Sequence, residues 1–217
     1  MLCKNARLNN PARLADLHAE IHNIDWDIIC FSETRAISQQ IDYVDGHRLI
    51  LHLENNIAAG VGILVHQRHV ASIRKIHFIS DRLLRIDLRI NDQPYAVFAI
   101  YLPHCGYAIQ DFDDVYDKLD QSLASNVHQN PKIIIGGDFN TQVNTGYRGQ
   151  RMAELAATYN LTVSNGDGHG SSETQWTFRS SLNVIRRIDF ILVSTATPII
   201  SACATALLDI GSDHRSV

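Results

Sequence analysis

Two stretches of this chain are apolar on both faces and run straight into an acid. Ile28-Ile29-Cys30-Phe31-Ser32 leads to Glu33, and Ile133-Ile134-Ile135-Gly136-Gly137 leads to Asp138. A strand with two apolar faces must be covered on both sides, which points to a layered α/β fold rather than a sheet with one wet face. Two further acids share the pattern. Asp189 sits inside Ile188-Asp189-Phe190-Ile191-Leu192-Val193, and Asp213 precedes His214. A buried lone carboxylate is costly, so each needs a partner or a metal. The plainer reading is that each acid ends its strand at the surface, and for Glu33 the two readings weigh equally. For Asp138 the surface reading is weaker, because Gly136-Gly137 lets another group approach the backbone closely. In extended geometry Asp138 and Asn140 point the same way, so a carboxylate and an amide would face one point and hold a water and an oxyanion together. For Asp189 the competing reading is a structural salt bridge to Arg186 or Arg187.

The rest of the pattern fills in the layers. Asn10 and Pro11 mark a helix start, followed by Leu14, Leu17, Ile21 and Ile24 on one face. The spacing predicts strands at Asp27–Ser32, Arg48–Leu53, Gly60–Val65, Ser72–Phe78, Leu83–Ile90 and Tyr95–Leu102, with polar breaks such as Glu54-Asn55-Asn56 between them. A second helix is expected over Asp111–Asn126, striped by Phe112, Val115, Tyr116, Leu119 and Leu123. Strand Lys132–Gly136, a helix over Gly149–Tyr159, and strands at Leu161–Ser164, Gln175–Arg179, Arg187–Val193 and Ile199–Leu207 complete the reading. A helix followed by a buried strand ending in an acid occurs at 11–33 and again at 111–138. No linker or low-complexity segment divides the chain, so residues 1–217 read as one domain with mainly antiparallel sheet.

Composition narrows the function classes. Of 217 residues, 23 are Asp or Glu and 19 are Lys or Arg, a net charge of -4. A mildly acidic chain is not a passive nucleic-acid coat, so any phosphate binding must rest on a local site or a bound cation. No apolar run is long enough for a transmembrane helix, and Met1–Asn10 lacks the apolar core of a secretory signal. No membrane association is therefore expected. The cysteines Cys3, Cys30, Cys105 and Cys203 form no C-x-x-C pair, so the plain expectation is a reduced intracellular protein without a zinc site. His66 and His69 lack the Glu of a metalloprotease pattern and read as a surface turn, and Gly60-Val61-Gly62 is not a dinucleotide loop.

Six blocks, in order, resemble the endonuclease/exonuclease/phosphatase superfamily: Asn5, Ser32-Glu33-Thr34, Tyr101 in Ile100-Tyr101-Leu102-Pro103, Gly137-Asp138-Phe139-Asn140, Arg187-Ile188-Asp189-Phe190 and Ser212-Asp213-His214. Asn5-Ala6-Arg7-Leu8, Ala59-Gly60-Val61-Gly62, Gln175-Trp176-Thr177-Phe178 and Gly211-Ser212-Asp213-His214-Arg215 are most similar to the apurinic-endonuclease-like endonuclease domains of non-LTR retrotransposons. Those domains nick target DNA so that a linked reverse transcriptase can prime from the 3′-hydroxyl. The resemblance implies a four-layer α/β sandwich with two mainly antiparallel sheets, DNase I-like. It also implies a Mg²⁺-dependent endonuclease, with Mn²⁺ as an alternative ion, acting on DNA and, on genomic DNA, in the nucleus.

It assigns roles by position. Glu33 would bind the cation, with Asn5 and Asp213 completing or orienting that site. Asp138 would orient and deprotonate the attacking water. Asn140 would hydrogen-bond the developing phosphorane, and His214 would donate to a phosphoryl oxygen. Asp189 would hold His214 in its tautomer and raise its pKa, and Tyr101 would contact the phosphate. Thr177 and Ser212 would hydrogen-bond the DNA backbone. Apurinic endonucleases commonly carry an Asp where Arg7 stands, so Arg7 is expected on a phosphate, and abasic-site processing is put in doubt. The chain begins four residues before Asn5 and stops three after His214, so a short first strand and a truncated last strand are expected. Two rival readings remain: a superfamily phosphatase or phosphodiesterase acting on a small phosphoester, and a non-catalytic remnant of a mobile element that binds DNA or a protein.

Overall fold

The computed structural model describes residues 1–36, 39–53, 58–125, 130–166 and 175–217. The chain opens with a parallel crossover. β1 (Leu2–Asn5) is followed by α1 (Pro11–Ile21) and then β2 (Ile28–Ser32), which pairs parallel to β1 with Asn5 level with Ser32. Asn10 caps α1 by accepting the Ala12 N–H at 2.9 Å, as its residue type and the following proline dictate. β3 (Gln40–Val44), β4 (His47–His52) and β5 (Val61–Val65) join by antiparallel pairing, giving a five-stranded sheet in the order β1-β2-β5-β4-β3.

After the short α2 (Gln67–Val70), three strands run as an antiparallel meander: β6 (Ile73–Ser80), β7 (Leu83–Ile90) and β8 (Gln93–Tyr101). α3 (Ile109–Ala124) then makes the second parallel crossover, to β9 (Lys132–Asp138), which sets Tyr101 level with Asp138. α4 (Gly146–Thr158), β10 (Leu161–Val163), the ribbon β11 (Phe178–Arg179) with β12 (Ile185–Arg186), and β13 (Asp189–Ser194) follow. The second sheet has six strands in the order β10-β13-β9-β8-β7-β6. Among the described residues no helix is long and apolar enough to cross a membrane.

The two-faced strands explain the layers. In β2, Ile29 and Phe31 pack with Leu17 and Ile21 of α1, while Ile28 and Cys30 face Val97, Ala99 and Ile191 of the other sheet. In β8, Phe98 and Ile100 turn outward onto Phe112, Tyr116 and Met152 of α3 and α4. The result is α1, sheet, sheet, then α3 with α4: the four-layer sandwich expected from the sequence. Gly137 is required at the close of β9, because a Cβ at its φ of 153° would strike the carbonyl oxygen of Ile100 on β8.

Several boundaries differ from expectation. Ile199–Leu207 forms no strand; its one ladder contact is the bridge between Thr205 and Ser216. Ile200 and Leu207 are exposed, so the apolar run there reflects composition and not a buried face. β3 escaped the pattern because it is an edge strand whose Ile41 and Tyr43 face solvent. His69 lies in α2, which His66 caps, and His69 meets Asp27 at 2.6 Å. β1 has a further neighbour, since Cys3 and Val217 exchange backbone hydrogen bonds at 2.8 and 3.1 Å. The break Glu54-Asn55-Asn56 and the helix end at Asn126 lie outside the described residues.

The layer assignment makes a contrast that urea unfolding can read. Leu119 on α3 is fully buried and Leu182 is 85% exposed. Leu119→Ala is expected to cost about 2–5 kcal/mol, and Leu182→Ala less than about 0.5 kcal/mol. Equal effects would mean that α3 does not cover the six-stranded sheet.

Candidate active site

Both crossovers deliver polar residues to one edge of the sandwich. Asn5 ends β1 and Tyr101 ends β8; Glu33 follows β2 and Asp138 ends β9. Open α/β sheets place ligands outside the carboxyl ends of such strands. Asp189, the first residue of β13, lies directly opposite Asp138 across an antiparallel pair. Asp138, Asp189 and His214 are 2, 1 and 7% exposed, so two carboxylates and an imidazole share a dry pocket.

Asp138 is held on both oxygens. Oδ1 accepts the Asn140 backbone N–H at 2.9 Å, and Oδ2 accepts the Asn5 amide at 3.2 Å. Burial first, and then the Asp189 charge, push the Asp138 carboxyl up to about 7, against the opposing pull of His214 and of those two hydrogen bonds. His214 Nδ1 lies 2.8 Å from Asp189 Oδ2. Burial alone would lower the imidazole, but the charge and hydrogen bond of Asp189, helped by Asp138 and Asp213, carry it up to about 9. With Nδ1 engaged, Nε2 is the nitrogen left to meet a substrate. The salt bridge from Asp189 to Arg186 or Arg187 is not formed; Arg187 instead donates to the carbonyls of Gln175, Asn165 and Gly166.

Asn140 reaches the site by a different route from the extended one expected. Its φ is 49°, its N–H closes a turn onto Asp138, and its side-chain amide donates to the Leu102 carbonyl at 2.8 Å. The Asp138 carboxylate closes this Asx turn, and Asn is one of the few residues that tolerate a left-handed backbone at position 140. Tyr101 is buried under the Arg82 guanidinium, 4.7 Å from its ring centre. Burial, with Glu33 and Asp138 next, keeps its hydroxyl protonated well above the usual range, so it is a donor.

Glu33 also has positive φ, at 54°, and its loop is fixed by Thr34 and Arg35 N–H bonds to the carbonyls of Gly60 and Ala59. Its Oε1 meets two guanidiniums, Arg35 in a close hydrogen bond and Arg7 at 3.4 Å. Arg7, expected on a phosphate, is thus on Glu33. Asp213 is exposed, and it lines a depression of about 230 Å³ with Asn5, Arg7, Arg13, Gly211 and Ser212.

Two expected DNA contacts sit differently. Thr177 is fully buried, and its hydroxyl accepts the N–H groups of Ile188 and Asp189 at 2.9 and 3.0 Å, so it fixes the strand that carries Asp189 instead of lining the cleft. Ser212 accepts the His214 N–H at 3.1 Å while lining a larger depression of about 500 Å³. That depression holds residues the sequence reading passed over. Trp176 lies between the guanidiniums of Arg179 and Arg215, at 4.4 and 3.8 Å. Buried Lys4 donates to the His214 carbonyl at 2.6 Å. Phe178 bridges to His214, so the segment before β12 and the segment around His214 hold each other. The block around Trp176 was visible in the sequence, but an indole between two cations needs the three-dimensional pairing.

Hard oxygen donors suit a divalent ion such as Mg²⁺. Glu33 offers its carboxylate, and Asn5 retains its side-chain oxygen after giving its amide to Asp138; Asn5 and Asp213 line the smaller depression, whereas Glu33 is not among its lining residues and meets it through Arg7. Asp138, Asp189 and His214 also lie within ligating distance of one another, all within 4.8 Å. His214 holds its proton up to about 9 and engages Asp189 through Nδ1, so in the cation-free chain the trio is a proton-sharing network.

Comparison with known proteins agrees with the fold. No curated protein matches the chain in sequence. Among solved structures, the catalytic domain of Xenopus laevis APE2 superposes with a TM-score of 0.78 at 15% identity, covering 100% of this chain and 90% of that one. The endonuclease domain of TRAS1, a telomere-specific non-LTR retrotransposon, gives 0.70 at 15% identity, covering 99% and 94%. A variant of the 3′ phosphatase NExo from Neisseria, bound to product DNA hairpin, gives 0.74 at 16%, covering 99% and 96%. The model of the Endonuclease/Exonuclease/phosphatase family matches residues 2–214, and the chain belongs to that family.

Proposed function

We propose that this chain hydrolyses phosphodiesters in DNA with a divalent cation, Mg²⁺ or Mn²⁺, as the nicking endonuclease domain of a non-LTR retrotransposon. In that setting it acts beside a linked reverse transcriptase, inside the cell and, for genomic DNA, in the nucleus. The observation that carries the reading is the network joining Asn5, Asp138, Asp189 and His214: a base raised to neutrality beside an imidazole kept protonated. The likeness to the TRAS1 domain supports the retroelement setting.

Asp138, fixed by Asn5 and the Asn140 N–H, accepts the proton of a water placed against phosphorus. His214 presents Nε2–H to a phosphoryl oxygen, and Asp189 stabilises the imidazolium in that orientation. Tyr101 and the Asn140 amide are the neutral donors within the same edge. Arg179 and Arg215, both stacked on Trp176, offer positive charge to the adjoining strand. When bound at Glu33, Asn5 and Asp213, a divalent ion supplies charge neutralisation at the phosphoryl oxygens.

Incubation with supercoiled plasmid is the direct test. Relaxation with Mg²⁺ and none with a chelator is expected, and Asp138→Asn should lose about 10²–10⁴ in rate while keeping the fold. The NExo likeness favours a second reading, removal of a terminal phosphate. Phosphate release with intact plasmid would establish that reading in place of the first.

The pH–rate profile should be bell-shaped. It rises as Asp138 loses its proton around 7, or lower with the cation bound, and falls as His214 loses its own around 9. Asp189→Asn should draw the upper limb down towards the ordinary histidine value of about 6.5. Both folded-state values lie above the ordinary ones, so both groups stabilise the cation-free fold at low pH and lose that contribution as pH rises, through about 7 and then about 9. Thermal melts in chelator should therefore decline across that window, and a flat curve would contradict the raised values.

Arg7 tests the cation site. Arg7→Ala removes one guanidinium from Glu33, so less Mg²⁺ should be needed to half-saturate the thermal shift. A half-exposed pair is worth roughly 0.2–1 kcal/mol, which corresponds to at most about fivefold. An unchanged or higher requirement would place the ion away from Glu33.

A further inference from the structure

A second convergence of metal-ligating side chains lies on α1, away from the cleft residues. His18 and His22 are four residues apart, so their rings share one face of the helix. His22 caps α1 with helical backbone angles of -78° and -17°, which keeps it in register. The two rings stack with centroids 5.9 Å apart and 30° between planes.

Both imidazoles turn Nε2 to the same atom, Asp45 Oδ2. His22 does so at 2.7 Å, and His18 makes a closer contact still. Asp45 stands in the turn between β3 and β4, where Asp45 and Gly46 have φ of 51° and 79°. Successive positive φ values mark the tight hairpin turn, whose geometry holds the carboxylate in place. One ligating atom from each of the three residues lies within 4.8 Å of the others.

Neighbouring histidines are spent on the scaffold. His47 Nδ1 accepts the Gln67 N–H, His66 Nδ1 accepts the Arg68 N–H, and His69 meets Asp27. His18 and His22 instead both address one carboxylate oxygen, so two imidazole nitrogens and a carboxylate converge on one point, held by hydrogen bonds in the cation-free chain. All three side chains are partly exposed, so an ion would retain water on its open positions.

We propose that His18, His22 and Asp45 form a surface site for a borderline divalent transition ion of the zinc, cobalt or nickel class, which clamps the end of α1 to the β3–β4 turn. Two imidazoles and one carboxylate suit such ions, whereas Mg²⁺ prefers all-oxygen sites. The site is separate from the Glu33 side in ligand type as well as in place. Binding requires both imidazoles neutral, so it weakens as pH falls.

Co²⁺ titrated into the full chain with Mg²⁺ saturating reads the site through its visible absorption and through the thermal melt. One tight equivalent is expected, with a rise in melting temperature. His18→Ala, His22→Ala and Asp45→Asn should each weaken binding by at least the tenfold that even an outer-shell partner is worth, and should remove the melting shift. Glu33→Gln should leave both unchanged. Wild-type binding in the His18 and His22 variants, or no saturable Co²⁺ binding by the wild type, would overturn the proposal. The side chains are exposed, so the variants are expected to fold; if His22→Ala does not, His18→Ala, which lies inside α1 and not at its cap, carries the same readout.

Discussion

Asp138 and Asp189 stand level on neighbouring antiparallel strands, both almost wholly buried. Like charges directly opposite each other destabilise a sheet, and an unpaired buried charge costs several kcal/mol. Much of the site's remaining architecture answers that one conflict. His214 takes the Asp189 side, and Asn5 and the Asn140 N–H take the Asp138 side. Behind them, Thr177 ties down the backbone that carries Asp189, and Lys4 ties down the carbonyl of His214. A layer of groups that would never touch a substrate is thus needed for the fold to tolerate the groups that would.

The same conflict explains why the site lies where it does. Each parallel crossover brings two strand ends to one edge, so Asn5 arrives beside Ser32-Glu33 and Tyr101 beside Asp138. Stacking the two sheets then brings the two pairs together, through Cys3 and Cys30 on one side and Val97, Ala99 and Ile191 on the other. The apolar core between the sheets is continuous up to Tyr101, and it is this dry floor that raises Asp138 and makes an imidazolium partner for Asp189 favourable.

Legibility in the sequence followed burial. The two-faced runs before Glu33 and Asp138 announced the layers; Gly136-Gly137 favoured a buried Asp138, whereas Glu33 read equally well as a surface strand end. The repeat of helix, strand and acid at 11–33 and 111–138 was the trace of the two crossovers. What could not be read was any feature decided by tertiary pairing. Asn140 reaches its place through a left-handed turn where extended geometry was expected. Thr177 carries a hydroxyl that suits a phosphate as well as a peptide N–H, and only its depth decides between them. The run Ile199–Leu207 is apolar without being buried, which local pattern cannot reveal.

Arg7 is the residue at which the chain departs most from the pattern it otherwise follows, and electrostatics give that departure a consequence. An acidic cleft repels a phosphate backbone until positive charge is supplied. Here part of that charge is covalent: Arg7 and Arg35 both lean on Glu33, and Arg179 and Arg215 flank Trp176 beside His214. Guanidiniums attract phosphate at all times but cannot match the charge density of a small divalent ion, and they contest the carboxylate that such an ion needs. The arrangement therefore sets two demands against each other at Glu33. Holding the apo site together favours the arginines, and neutralising a phosphoryl group favours the ion. On the proposed function, an incoming phosphate would give Arg7 a second anion to turn to and would free the Glu33 oxygens. Cation binding and substrate binding would then reinforce each other through Arg7.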